Sequence, residues 1–394
     1  MSAEPPRLAL APVPTGREID TDAAPEATWE RYRELLLCEA REWWDNEGSV
    51  PATAEKLRAD YARPAPGRHS RCFLLTAPKE ATPDNLVVSP PGAAEFAQPG
   101  QILGYVGVYY SSDDNLGRAW LGIYVLPAWR FRGIGSAAIN HARRLVADLG
   151  RRDIEAWAIA HPAAPDDPDP VLPATGVGAV SLEGPTSLLL ARGFRLAQVE
   201  YQLRLPAPRD RQGRLLAQLA ALREEGAAGA REDYELESWQ GMPGDPAAVA
   251  DMFRRFSADI PASEGLEPSA WDEEKVVNYV ERLAARGVDL LWTAVRHRDS
   301  GQLVGYTMLE WPHGADSATQ EDTWVSPEHR GHRLGLLIKA TNTARAIGGE
   351  IVGRPGELRT ILTWLAAENE HMLAINRRLG FTIDRVEGCW ILDV

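Results

Sequence analysis

Two short segments of the chain have the make-up of an anion cradle. Arg130-Phe131-Arg132-Gly133-Ile134-Gly135-Ser136 follows the apolar run LGIYVLPAW and opens a helical pattern. Glycines at 133 and 135 let a backbone approach a ligand closely, and N–H groups at a helix start offer unpaired donors in a favourable dipole. Such a turn suits a phosphate or pyrophosphate; its alternative is a glycine-rich strand-to-helix connection with no ligand. The second segment, Arg330-Gly331-His332-Arg333-Leu334-Gly335-Leu336, carries Arg333 where the first has Gly133. Neither is a Walker loop, because GK[ST] is missing, and neither is a GxGxxG dinucleotide fingerprint.

Carboxylates stand just before the second turn. Glu321 and Asp322 interrupt the otherwise apolar strand TQEDTWV, at positions aligned with Leu121 and Gly122. Alternation along a strand puts Glu321, Thr323 and Val325 on one face and Asp322 and Trp324 on the other. A buried carboxylate has a raised pKa and can take a proton near neutrality, so either acid is a candidate general base. Glu310, at the end of the preceding strand, is a third candidate.

These residues need scaffolding, and the chain provides it twice. Residues 101–136 match residues 302–336: Gly104-Tyr105 and Gly305-Tyr306 are 201 apart, and strands ending at Val125 and Val325 are 200 apart. Later, Arg192-Gly193-Phe194 matches Leu379-Gly380-Phe381 at a separation of 187. The thirteen-residue change is assigned to residues 161–186, which are dense in Pro, Ala, Asp and Gly and read as a loop. The chain is therefore expected to be a tandem duplication, with domains 1–206 and 234–394. Between them 207–233 reads as a linker helix with Leu215, Leu216, Leu219 and Leu222 at helical spacing. Each copy repeats a short strand, amphipathic helices (28–44 and 53–62; 246–257 and 271–286), strands, the turn, a helix, a strand, a last helix and a final strand. That order predicts an α/β (α+β) fold with a central sheet in each half. Trp29, Tyr32, Leu36 and Trp43 fall at helical spacing and read as core.

Composition narrows the partners. The 394 residues carry 42 Lys+Arg against 56 Asp+Glu, a formal net charge of −14, with 44% hydrophobic residues. This balance fits a folded globular protein and disfavours a nucleic-acid backbone as partner. Cys38, Cys72 and Cys389 suit neither a disulfide framework nor a CxxC pair, which points to a reducing cytoplasm. The eight histidines show no HxxxH or HxH spacing, so no metal is expected; His329 and His332 lie across the second turn. No apolar stretch approaches the roughly 20 residues needed to span a bilayer, and the N-terminal segment lacks the pattern of a cleavable leader.

The Arg-x-x-Gly-x-Gly order of Arg130–Gly135 resembles the R/Q-x-x-G-x-G/A segment of the GCN5-related N-acetyltransferases (GNAT). The run from Asn369 to Leu379-Gly380-Phe381 is similar to N-x-x-A-x-x-x-Y-x-x-x-G-F near that family's C-terminus. Tandem members are familiar among actinobacterial proteins, mycothiol synthase among them, and the resemblance covers roughly 30–205 and 234–394. It implies two GNAT-type domains, each a mixed, splayed central sheet flanked by helices. It also implies acetyl-CoA as cosubstrate. The pyrophosphate would lie on Arg130, Phe131, Arg132, Gly133, Ile134, Gly135 and Ser136, and on Arg330, Gly331, Arg333, Gly335 and Leu336, with Asn369 nearby. The pantetheine would follow the strands ending at Val125 and Val325.

The resemblance further implies direct attack of an amine on the thioester, whose carbonyl is held by a backbone N–H near Val125 or Val325, with Glu321 or Asp322 as base. Asn376 stands where many relatives have a tyrosine that protonates the departing thiolate. Asparagine cannot act as that acid, which leaves water or a helix dipole. The first copy shows no evident base and neither the late Asn nor the Tyr, so the second is expected to be the transferase and the first to bind coenzyme structurally or to be degenerate. The expected acceptor is a small-molecule amine, with Trp43, Trp44, Asp45, Glu264 and Trp271 suited to a cation. A monomer or homodimer is expected, and the alternative is an acyl-CoA sensor or partner-binding module without turnover.

Overall fold

The computed structural model describes residues 4–16, 26–44, 50–96, 98–164, 167–259, 267–349 and 357–394. The chain divides into two compact units, Met1–Val199 with Glu387–Val394, and Glu200–Val386.

The first unit contains β1 (Arg7–Pro12), α1 (Glu26–Glu39) continued by a π-helical turn (Ala40–Trp44), α2 (Ala54–Ala62), β2 (Arg68–Ala77), β3 (Val87–Ala93), β4 (Gln101–Ser111), β5 (Arg118–Val125), α3 (Ile134–Asp148), β6 (Asp153–Ala160) and α4 (Gly184–Ala191). Its strand order is β3-β1-β2-β4-β5-β6. The β1/β3 and β5/β6 pairs are parallel; β1/β2, β2/β4 and β4/β5 are antiparallel. One face is covered by α1 and α2, whose Trp29, Tyr32, Leu35 and Leu57 bury against Leu74, Tyr105 and Tyr124. On the other face His141 of α3 meets Phe73 edge-on, 4.6 Å between ring centres. The aromatic residues Trp29 and Tyr32 are thus core.

Strand β7 (Arg195–Pro206) begins in the first unit and ends in the second. The second unit continues with α5 (Gln212–Ala230), β8 (Tyr234–Gln240), α6 (Pro246–Asp259), α7 (Glu273–Arg286), β9 (Val288–His297), β10 (Leu303–Pro312), β11 (Ser317–Val325), α8 (Leu334–Gly348), β12 (Thr360–Ala366) and α9 (Glu370–Leu379). Its order is β7-β12-β11-β10-β9-β8, with β11/β12 parallel and the other pairs antiparallel. Phe253, Val276, Val280 and Trp292 build the core under α6 and α7, while Leu219, Leu309, Leu336 and Phe381 build the one under α5 and α8.

Two features differ from the sequence expectations. The helix read as a linker lies inside the second unit, where Gly226 lets it approach α8 so closely that a Cβ would sit 2.8 Å from Leu337 Cβ. The last strand, β13 (Thr382–Asp393), starts in the second unit and ends in the first, with the Val394 N–H donating to the Arg152 carbonyl at 2.8 Å. The thirteen-residue offset is a net value. The β6–α4 connection is 23 residues, against 3 between β12 and α9, but the α8–β12 connection is 11 against 4 between α3 and β6.

The repeated Gly-Tyr has a packing cause. A Cβ on Gly104 would lie 2.1 Å from the Tyr124 carbonyl oxygen, and one on Gly305 3.0 Å from that of Trp324. Glycine is what lets β4 close on β5 and β10 on β11, and the tyrosine that follows points its ring into the helix-covered core.

Candidate active site

Both turns adopt one backbone path from different residues. A single 3-10 turn, Pro127–Trp129 or Pro327–His329, precedes the arginine. The first and third residues after it then take left-handed φ: Phe131 (59°) and Gly133 (83°), Gly331 (87°) and Arg333 (57°). Each copy meets one of these positions with glycine and the other with a side chain, at a cost of about 1 kcal/mol or more for the non-glycine. Arg333 therefore preserves the path that Gly133 takes. Helices α3 and α8 start at once, leaving their first N–H groups without intrahelical acceptors, a suitable seat for a pyrophosphate.

The turn arginines are held by the protein. Arg130 Nε donates to the Val125 carbonyl (2.8 Å) and its two Nη atoms to Glu42 (2.6 and 2.7 Å), with Trp43 and Tyr124 against the guanidinium. Arg330 repeats this with the Val325 carbonyl (3.1 Å) and Asp259. These two arginines pin the strand end to the turn. Arg132 pairs with Asp84 (3.3 Å) and Arg333 with Glu225 of α5 (2.9 Å). All four arginines thus have carboxylate partners.

The parallel strands beside each turn part early. Pairing of β5 with β6 runs from Arg118↔Asp153 to Leu121↔Ala156, and that of β11 with β12 from Ser317↔Thr360 to Gln320↔Thr363. Gly122–Val125 and Glu321–Val325 lie beyond the last pairs, the stretches along which the resemblance expects the pantetheine.

Strict alternation fails at the two acids. The register of β10 on β11 passes from Thr307↔Thr323 to Leu309↔Gln320, so Glu321 and Asp322 both oppose Met308. This bulge resets the side-chain order. Ala318 lies in the core under α8, whereas Met308 and Trp324 lie in the core under α6 and α7, and both carboxylates fall on that second side. Gln320 closes the bulge, donating to Thr307 Oγ1 (2.9 Å) and the Met308 carbonyl. Asp322 accepts from the Tyr306 hydroxyl (3.3 Å) and Glu310 from the Tyr279 hydroxyl (2.5 Å). Burial pushes Glu321 up to about 8, with Glu310 and Asp322 adding to the rise. Burial also raises Asp322 to about 6, opposed by the Tyr306 hydrogen bond and aided by Glu310. Glu310 is raised by burial, against Tyr279 and Arg286.

In the first unit β4 and β5 pair without a shift from Gly104↔Val125 to Tyr109↔Trp120. The places of Glu310, Glu321 and Asp322 are taken by Tyr109, Leu121 and Gly122. A carboxylate nevertheless reaches the same tyrosine in this copy, from another element. The Tyr105 hydroxyl, counterpart of Tyr306, donates to both oxygens of Glu39 on α1 (3.0 and 2.8 Å). Burial pushes Glu39 up to about 7, opposed by that hydrogen bond and aided by Glu42. Glu39 escaped the sequence reading because it is 66 residues from Tyr105, on a helix whose spacing signals only core.

Residues 29–164, within the first unit, match the family model described as Acetyltransferase (GNAT) family. A tandem GNAT protein from the clavulanic acid biosynthesis pathway, solved without AcCoA, aligns over 98% of this chain and 98% of its own, at TM-score 0.66 and 21% identity. Residues 29–164 belong to the GNAT family, and the whole chain has the tandem GNAT fold. A GCN5-related N-acetyltransferase from Sphaerobacter thermophilus aligns over 94% of both chains, at TM-score 0.51 and 15% identity. No curated protein sequence matches the chain.

Within the GNAT fold the other expected residues take these places. Asn369 is the N-cap of α9, its Oδ1 accepting the Met372 N–H (3.1 Å). Asn376 is fully buried on α9, with neither Oδ1 nor Nδ2 partnered among the described residues. Ile134, Leu334 and Leu336 are core, Ser136 and Gly335 are partly buried, and Phe131 is 89% exposed. Trp271 packs on Phe253 and Tyr279. Asp45, Glu264 and the Trp44 side chain lie outside the described residues. Among the described residues no group of three His, Cys, Asp or Glu is arranged to hold a metal, and no helix is long and apolar enough to cross a membrane.

Proposed function

We propose that the second unit transfers an acetyl group from acetyl-CoA to the amine of a cationic small molecule. The observation that carries this reading is the bulge at Glu321-Asp322, which gathers both acids with Glu310 on one face, just past the last β11/β12 pair. A bulge also leaves a backbone group outside the ladder, and an N–H there suits the thioester carbonyl as negative charge grows on its oxygen. The amine arrives as an ammonium and loses a proton to Asp322 or Glu321. The free amine forms the N–C bond as the C–S bond breaks, and the proton lost from the acylated nitrogen passes through water to the thiolate, since Asn376 is not an acid at pH 7.

The test is coenzyme thiol release from acetyl-CoA across a panel of amines, in the wild type and in Glu321→Gln and Asp322→Asn. A loss of roughly 10²–10⁴-fold in one variant is expected for a general base. Wild-type rates in both would remove these acids from the mechanism. The Asn at position 376 favours one other reading, an acyl-CoA sensor without turnover, which is the outcome if coenzyme binds and no amine releases thiol.

A further inference from the structure

We infer that the first unit is a second acetyl-transfer site, with Glu39 as its base and an amine borne on an aromatic or otherwise apolar group as its acceptor. This rests on the reading above that the fold transfers acetyl groups from acetyl-CoA. Its own ground is a replacement. Tyr105 and Tyr306 are counterparts in the repeat, and the hydroxyl of each donates to a carboxylate. In the second unit that carboxylate comes from the strand, as Asp322; in the first the strand position is Gly122 and the carboxylate comes from the helix, as Glu39. A copy that had only lost its base would leave the Tyr105 hydroxyl facing apolar core. Instead the phenol–carboxylate pair has been rebuilt from another element.

The coenzyme half of the site is intact beside it. The turn keeps the full Arg130-x-x-Gly133-x-Gly135 order, Arg130 pins it to the end of β5, and β5 leaves β6 at Leu121. Glu42 accepts from Arg130 and from the Tyr124 hydroxyl, which holds it below the usual carboxylate range despite burial and leaves Glu39 as the proton acceptor. Glu39 is only partly buried, and the Tyr109 ring, 37% exposed, stands with Tyr105 against Gly122.

The surroundings set the acceptor class. The three acidic positions of the second unit are Tyr109, Leu121 and Gly122 here, and the cross-strand pair Trp292↔Met308 is replaced by the smaller Cys72↔Gly107. With Glu42 paired to Arg130, the acidic face is reduced to Glu39 on Tyr105, and the rings of Tyr105 and Tyr109 stand against Gly122 where the second unit has Asp322, an environment for a single cation with an apolar or aromatic body. In the reaction the ammonium gives one proton to Glu39. The amine nitrogen then bonds to the acetyl carbon as the C–S bond breaks, its second proton ends on the departing sulfur, and Glu39 returns the first to solvent.

The test uses the full chain carrying Glu321→Gln and Asp322→Asn, with acetyl-CoA and either 2-phenylethylamine or 1,4-diaminobutane. Residual thiol release with the arylalkylamine is expected, with an acid limb near pH 7, and adding Glu39→Gln should lower it at least 100-fold. In the same background Tyr105→Phe should move that limb to higher pH, because it removes a hydrogen bond that favours the ionised Glu39; a purely structural role would not shift it. No residual release, or release indifferent to both changes, overturns the inference. The two sites fail separately. Turnover of every amine abolished by the strand changes leaves only the second unit active, whereas turnover untouched by them and abolished by Glu39→Gln leaves only the first.

Discussion

Lys339 offers the sharpest energetic test, because it is a cation with nowhere to put its charge. It is fully buried on α8, its Nζ 4.0 Å from Met372 Sδ and 5.7 Å from the centre of the Phe381 ring, and no carboxylate pairs with it among the described residues. Burial lowers its pKa from 10.5 to about 7. At ~1.4 kcal/mol for each tenfold change, that displacement corresponds to about 5 kcal/mol of penalty on the charged form in the folded state. The sign follows from proton counting. Between pH 7 and 10.5 the unfolded chain holds a proton here that the folded chain has released, so stability rises with pH through that window, and the penalty is complete below pH 7. Lys339→Met keeps the length of the side chain and matches its sulfur and aromatic neighbours. At pH 6 it should stabilise the second unit by about 3–5 kcal/mol, since some of the penalty is relieved by local relaxation. For a unit of this size that is a rise of about 6–20 °C in melting temperature. The advantage should shrink steadily toward pH 10. Thermal unfolding of both proteins at pH 6, 7, 8 and 9 measures it, and equal melting temperatures at pH 6, or a gain that does not change with pH, would refute the reasoning.

Other expectations follow from the same geometry. Because Asp322 helps to raise Glu321, Asp322→Asn should move the acid limb of any Glu321-dependent kcat/KM profile to lower pH, read from thiol release between pH 5 and 9. Gly104→Ala should destabilise by about 3 kcal/mol or more, because the new Cβ meets backbone at 2.1 Å. Gly305→Ala, at 3.0 Å, should cost less, and equal urea midpoints would contradict that ranking. Phe131→Gly should stabilise by about 0.5–1 kcal/mol, as it relieves left-handed strain and removes a side chain that is 89% exposed, with denaturant midpoint as the readout.

Local chemistry and periodicity carry a large share of this protein in readable form. The repeat of Gly-Tyr, Val-x-Pro and the arginine turn marks two copies of one fold, because close strand approach and a helix start demand particular residues at particular spacings. Helix α2, expected at 53–62, runs Ala54–Ala62 with Thr53 as its cap, and α7, expected from 271, starts at Glu273 with Asp272 as its cap. Arg333 stands where the first copy has Gly133, yet the left-handed positions are two, and each copy places its glycine at a different one.

What periodicity could not supply were relations set by one inserted residue or by long-range packing. A bulge is invisible to an alternating pattern, which puts Glu321 and Asp322 on opposite faces, whereas the register across β10 sets both against Met308. Glu39 reads as one more polar residue on an amphipathic helix, and only the docking of α1 on the sheet delivers it to Tyr105. The same docking brings Glu42 to Arg130 and that of α6 brings Asp259 to Arg330, so that both arginines, read from sequence as phosphate ligands, are carboxylate-paired and tied to the strand end. Sequence spacing governs contacts within a turn of helix or along one strand. Charges that titrate together are chosen by whichever elements share a core.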